Sequence, residues 1–132
     1  PEGASELAAA RKATKKVGEL GSLDDDSMVL YKAVDTVDWR LGRLVSVDIE
    51  ERMIEVHRYD SYDRRRSKEM RDCRFAPAYL DPRDGLMVFS TKPARRLKPI
   101  YDIIPLEDVI ETGFYLTNKD KLHQAQMREL WV

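Results

Sequence analysis

Trp39-Arg40-Leu41-Gly42-Arg43-Leu44-Val45-Ser46-Val47-Asp48-Ile49 and, after the polar Glu50-Glu51-Arg52, Met53-Ile54-Glu55-Val56-His57-Arg58-Tyr59 hold the pattern that decides the fold. In the first run Val45, Val47 and Ile49 alternate with Leu44, Ser46 and Asp48; in the second, Ile54 and Val56 alternate with Met53, Glu55 and His57. A period of two sends successive side chains to opposite faces of a strand. Two such runs around a short polar turn predict a hairpin.

The same period extends outward. Residues 28–34 read as a preceding strand, and residues 74–79 and 86–90 as a second hairpin. Its turn is Asp81-Pro82-Arg83-Asp84-Gly85, where proline fixes one φ and glycine accepts a positive one. Residues 101–104 are extended, Pro105 opens a single helical turn through Asp108, and residues 109–116 form a last strand. Thr117 or Asn118 is placed to cap a helix running to Leu130, with Asp120 in its first turn and Leu122, Ala125 and Leu130 on its apolar face. The fold class expected is mainly β, a small closed or partly open antiparallel barrel of five or six strands with a C-terminal helix, since closure removes the exposed edges of short strands; the alternative is a small sheet covered by that helix. Residues 28–132 form that domain. Residues 1–27, with few large apolar side chains, the glycines Gly18 and Gly21, and the acidic Asp24-Asp25-Asp26, read as a flexible or partly helical tail.

At 132 residues there is room for one domain, and no apolar run approaches the roughly 20 residues of a membrane-spanning helix. A single cysteine, Cys73, excludes an internal disulfide and any cysteine-based metal cluster, and points to an intracellular setting. The opening Pro1 suggests a piece of a longer polypeptide.

Catalytic signals are weak. The six glycines are isolated from one another, so no phosphate cradle can be assembled from them, and no cofactor is expected. His57 and His123 have no second histidine at metal-ligand spacing, so no metal is expected either. Cys73 would serve as a nucleophile only if the fold set it beside His57, and a packed thiol is the simpler reading. The sequence therefore predicts a protein without an active site.

Binding signals are stronger. The net charge of −1 hides two basic segments. Residues 64–74 carry Arg64, Arg65, Arg66, Lys68, Arg71 and Arg74 against Glu69 and Asp72; residues 92–98 carry Lys92, Arg95, Arg96 and Lys98 with no acid. If both emerge on one side, they offer a phosphate backbone a positive surface with bidentate arginine donors. A second signal is aromatic: Tyr31, Trp39, Tyr59, Tyr62, Phe75 and Tyr79 lie in or beside the strands. Several such rings around a pocket would attract a methylated ammonium group.

The hairpin of residues 39–48 and 54–63, ending in Val56-His57-Arg58-Tyr59-Asp60-Ser61-Tyr62, resembles the opening of Tudor-like and chromo-barrel domains. That resemblance implies an SH3-like barrel that reads methylated lysine or binds nucleic acid, with a cage built from Tyr31 or Trp39 together with Tyr59 and Tyr62. Arg58 stands where the family has an aromatic residue, and residues 64–74 replace a tryptophan-bearing strand, which moves the expectation towards nucleic acid. Residues 75–82 and 113–117 are similar to modules found near integrases in retroelement polyproteins, implying a nuclear, DNA-associated accessory role within a larger polypeptide or complex. Three functions follow as expectations. The leading one is a non-catalytic module contacting nucleic acid through Arg40, Arg43, Arg58, Arg64, Arg65, Arg66, Lys92, Arg95 and Arg96. The others are a chromatin reader of methylated lysine through Tyr31, Trp39, Tyr59 and Tyr62, and a structural or assembly domain docking through its C-terminal helix.

Overall fold

The computed structural model describes residues 27–33, 39–61 and 73–123. Within them the chain runs β1 (Met28–Lys32), β2 (Trp39–Asp48), β3 (Met53–Ser61), β4 (Phe75–Asp81), β5 (Leu86–Phe89), β6 (Lys98–Pro99), β7 (Tyr101–Pro105), a 3-10 turn (Leu106–Asp108) and β8 (Val109–Phe114). All pairings are antiparallel. The main path is β5-β4-β3-β2-β1-β8, with β6 added beside β4 and β7 beside β3.

Five of these strands, in the order β7-β3-β2-β1-β8, form the body of the fold. Its outer members are consecutive in the chain, joined only by Leu106–Asp108. Four strand spacings laid flat span about 19 Å, whereas four residues of 3-10 helix advance about 8 Å. The sheet must therefore curl to bring its edges together. Leu106 pins the curl, donating its N–H to the Arg52 carbonyl in the β2–β3 turn at 3.0 Å.

Curling gives the sheet a lined interior. Val29, Tyr31, Leu44, Ile54, Val56, Ile104, Leu106 and Val109 form one buried cluster, and Met28, Leu30, Leu41, Cys73, Phe75, Phe114 and Leu122 form another. Successive residues of β1 divide between the two, which is why the strand is buried on both faces. Gly42 lies where β2 passes closest to the first cluster. A Cβ built there would meet Val56 Cγ2 at 2.5 Å and Tyr31 Cε1 at 3.2 Å.

Four expectations are corrected. The strands number eight among the described residues, because residues 90–105 supply β6 and β7. The sheet is not closed into a barrel, since no ladder joins β7 to β8. No helix forms over residues 117–123. There the Thr117 N–H donates to the Lys121 carbonyl at 2.8 Å, Asp120 adopts φ 60°, and the Phe75 N–H donates to the Asp120 carbonyl at 2.8 Å, so the backbone turns back on itself. Finally, Val45, Val47 and Ile49 do not share a buried face. A bulge between Leu44 and Ser46 breaks the alternation, burying Leu44 and leaving Val45 and Ile49 exposed. The N-terminal tail, apart from Ser27, and the rest of the expected C-terminal helix lie outside the described residues.

Gly42→Ala is expected to destabilise the domain by about 1–3 kcal/mol, because the added methyl must displace Val56 between two paired strands. Denaturant unfolding followed by tryptophan fluorescence measures this; an unchanged midpoint would show that β2 and β3 separate freely at this point.

Candidate binding site

At one end of the interior, four side chains from four strands meet. Asp102 of β7 accepts the Tyr31 hydroxyl at 2.7 Å, Arg58 Nε at 2.9 Å and Arg58 Nη2 at 2.7 Å; Arg40 Nη1 lies 3.8 Å away. The two-pronged Arg58 contact is the geometry in which guanidinium and carboxylate bind most strongly. Burial opposes ionisation of Asp102, but the Arg58 fork, the Tyr31 hydroxyl and the charges of Arg58 and Arg40 outweigh it and hold the carboxyl below its ordinary range. Burial, with the adjacent carboxylate, pushes the Tyr31 phenol far upwards. Tyr31 is therefore a buried neutral donor. This cluster ties β1, β2, β3 and β7 together beside an open pocket of about 180 Å³, and it engages two of the arginines expected to contact a partner.

The other face of the same strands is organised by a junction. β3 pairs with β7 up to His57 and with β4 from Tyr59, while β4 turns away to meet β6. At the branch the Arg58 N–H donates to the Ile100 carbonyl at 2.8 Å, and the Ile100 N–H to the Ala78 carbonyl at 3.1 Å. The same Ala78 carbonyl lies 2.9 Å from His57 Nε2. A carbonyl only accepts, so the neutral ring carries its proton on Nε2. The rings of Tyr79, Tyr59 and Tyr101 surround His57 with centroids at 5.0, 5.8 and 5.8 Å. Burial lowers the histidine pKa; the Ala78 bond opposes this and the nearby charge of Arg43 adds to it.

Beside this junction lies an open groove of about 180 Å³ lined by Arg43, Tyr59, Phe75, Pro77, Tyr79, Thr91 and Asp120. It joins the arginine-bearing strand β2 to the root of the second basic segment, because Lys92 follows Thr91. Lys92 and Arg95 are exposed on that segment. Arg96 is turned back onto Asp81, its Nε 3.3 Å from Oδ2, next to Arg83 Nη2 at 3.2 Å from the same oxygen. The Arg83 contacts, with Arg96, hold the Asp81 carboxyl down at about 2.

The expected site residues thus separate into groups. Arg40 and Arg58 belong to the Asp102 cluster, Arg43 and Tyr59 to the groove, and Lys92, Arg95 and Arg96 to the neighbouring loop. Arg64, Arg65, Arg66 and Tyr62 lie outside the described residues. Of the rings expected to form a cage, Tyr31 is buried in the first cluster, Trp39 and Tyr59 pack partly exposed against the second, with Trp39 5.8 Å from Phe75, and Tyr62 lies outside the described residues. The rings that share an opening with Tyr59 are Tyr79 and Phe75. Cys73 is buried in the second cluster, and the rings around His57 are tyrosines. Sequence reasoning missed Asp102 and Tyr101. A signal was present, since Asp102 shares its strand phase with the buried Ile104, but Ile103 beside it is equally apolar and hides the phase.

Among the described residues no group of three or more His, Cys, Asp or Glu side chains is placed to hold a metal ion, and no helix is long and apolar enough to cross a membrane. Comparison with protein-family models, with curated proteins and with solved structures gives no match.

The lowered His57 pKa fixes a pH dependence. The unfolded chain binds this proton near pH 6.5 and the folded one only at lower pH, so stability is full above about 6.5 and falls as pH drops towards the folded value. The contribution of Asp81 is retained above the unfolded carboxyl range and lost only as pH falls from about 4 towards about 2. Urea midpoints at pH 7.5 and 5.0 should therefore differ in the native protein, and the difference should shrink in His57→Gln. Equal shrinkage in His123→Gln would assign the effect elsewhere.

Proposed function

We propose that this chain is a non-catalytic nucleic-acid-binding module, acting in the nucleus as part of a larger polypeptide or complex. Its core is an SH3-like sheet, open rather than closed. The fold-level reading is supported by the order β7-β3-β2-β1-β8 with its outer strands joined by one short turn. The functional reading rests on one observation: the groove that puts Arg43, Tyr59 and Tyr79 together at the root of a basic loop.

The chemistry follows from those groups. A tyrosine face takes any base by stacking, worth about 1–3 kcal/mol per base, while arginine and lysine contact phosphates without regard to sequence. Lys92 and Arg95 are exposed next to the groove, and the sequence between Ser61 and Cys73 adds Arg64, Arg65 and Arg66. Charge is also segregated along β3. Asp48, Glu50, Glu51 and Glu55, with Arg52 as the one cation among them, gather at the hairpin end, and the sequence after Ser61, beyond Asp60 at the opposite end, is rich in arginine. Nine residues of strand separate these ends by about 30 Å, giving an approaching polyanion one favoured pole.

A second reading takes the same groove as a reader of methylated lysine, with the half-exposed Tyr59 and Tyr79 as rings and Asp120 as the carboxylate at the rim. Arg43 in the groove works against a cationic guest and for an anionic one. The two readings therefore make opposite demands on a single side chain.

Fluorescence anisotropy with a labelled single-stranded oligonucleotide across a salt series tests the first reading. Affinity is expected to fall steeply with salt, and the combined replacement of Arg64, Arg65 and Arg66 by Ala to reduce the logarithmic slope by about 2–3. Tyr79→Ala should weaken binding roughly 5- to 150-fold at constant slope. Absence of binding at low salt, or an affinity indifferent to salt, would overturn it. Preference for a trimethyl-lysine peptide over its unmodified form, strengthened in Arg43→Gln, would favour the reader instead.

A further inference from the structure

The largest opening among the cavities described lies at the acidic pole. On the outer face, Ser46 of β2, Glu55 of β3 and Ile103 of β7 stand side by side in register, with Asp48 and Met53 forming the next pair. Together with Glu51 from the turn they line a groove of about 360 Å³. Its apolar part is open to solvent, Ile103 being 66% exposed. Among the described residues three carboxylates border it and none of the lining side chains is a cation. Arg52, in the adjoining turn, is the nearest basic residue in sequence. Such a surface fits an extended segment with lysines and arginines at its edges and small or apolar side chains between them.

The chain carries such a segment. Residues 11–17 read Arg11-Lys12-Ala13-Thr14-Lys15-Lys16-Val17, four cations and no acid within seven residues. Its attachment point is close to the groove. The Ser27 carbonyl accepts the Leu44 N–H at 2.9 Å, and β1 runs antiparallel to β2, so the N-terminal end of β1 points along β2 towards Ser46 and Asp48. Ser46 lies two strand positions beyond Leu44, about 7 Å. The ten residues from Val17 to Ser27 reach at most about 36 Å, ample for the distance.

We propose that this groove docks the chain's own basic segment, residues 11–17, in cis. Exposed ion pairs are individually weak and screened by salt, so a free peptide of this composition would occupy so small a surface only sparingly. A short covalent tether raises the local concentration into the millimolar range, where weak contacts suffice. Docking also relieves the repulsion among Asp48, Glu51 and Glu55. The inference is independent of the nucleic-acid reading, which uses the opposite pole.

Zero-length carbodiimide coupling of the full chain, followed by peptide mass spectrometry of the monomer fraction, tests it. Amide links from Lys12, Lys15 or Lys16 to Asp48, Glu51 or Glu55 are expected at least fivefold above links to the exposed Asp84, and 0.5 M NaCl should abolish the excess. Links to Asp24, Asp25 and Asp26 alone, or groove links found only in a covalent dimer, would overturn docking in cis. As a second measurement, replacing Lys12, Lys15 and Lys16 by Gln in the full chain should shift the amide resonances of Ser46, Glu55 and Ile103. Shifts confined to the first 26 residues would overturn the proposal as well.

Discussion

Three residues, Leu106–Asp108, bridge what would be opposite margins of a flat five-stranded sheet, and most of the architecture follows from that short span. Because the margins must approach one another, the strands wrap around Val29, Leu44, Ile54, Val56, Ile104 and Val109. Wrapping narrows the space over β2 until only Gly42 fits against Val56 and Tyr31. It also brings Tyr31, Arg40, Arg58 and Asp102 from four strands together, and their paired charges tie those strands to one another. Those pairs are only partly withdrawn from water, which keeps the desolvation cost modest compared with a fully buried ion pair. Arg58 thereby serves the fold first and any partner second.

The insertion between β3 and β7 explains where recognition chemistry can sit. A simple meander would carry β3 straight into its next neighbour. Here β4, β5 and β6 branch from it at the Arg58, Ala78 and Ile100 hydrogen bonds, and the branch exposes Tyr59 and Tyr79 along one wall of a groove.

How much of this was legible depends on the range of the interactions involved. The hairpins of residues 39–59 and 75–89, the turn at Gly85 and the short turn after Pro105 rest on local periodicity and turn chemistry, and they were readable. The bulge beside Val45 was not, because it is set by how β2 packs on β1 and β3 at once. The C-terminal region misled for a similar reason. Thr117 does accept N–H groups from Lys119 and Lys121, as a helix cap would, but the following backbone then bonds back to Thr117 and to β4. Site residues followed the same rule. Arg43 and Tyr59 stood out as types, whereas Asp102 gains its meaning only from three partners at least 44 positions away.

Burial of β1 on both faces bears on how the polypeptide acquires its form. The strand contributes to both apolar clusters, yet one of its two neighbours, β8, is separated from it by about 80 residues of chain. During synthesis β1 leaves the ribosome before the other described strands and waits for a final partner that comes last among them. Until β8 arrives, one edge of an apolar strand stays open to mispairing, so folding is governed by closure of a long loop and is expected to be slow for a domain of this size. Its vulnerable interval is translation itself, when a holding chaperone would have most to protect.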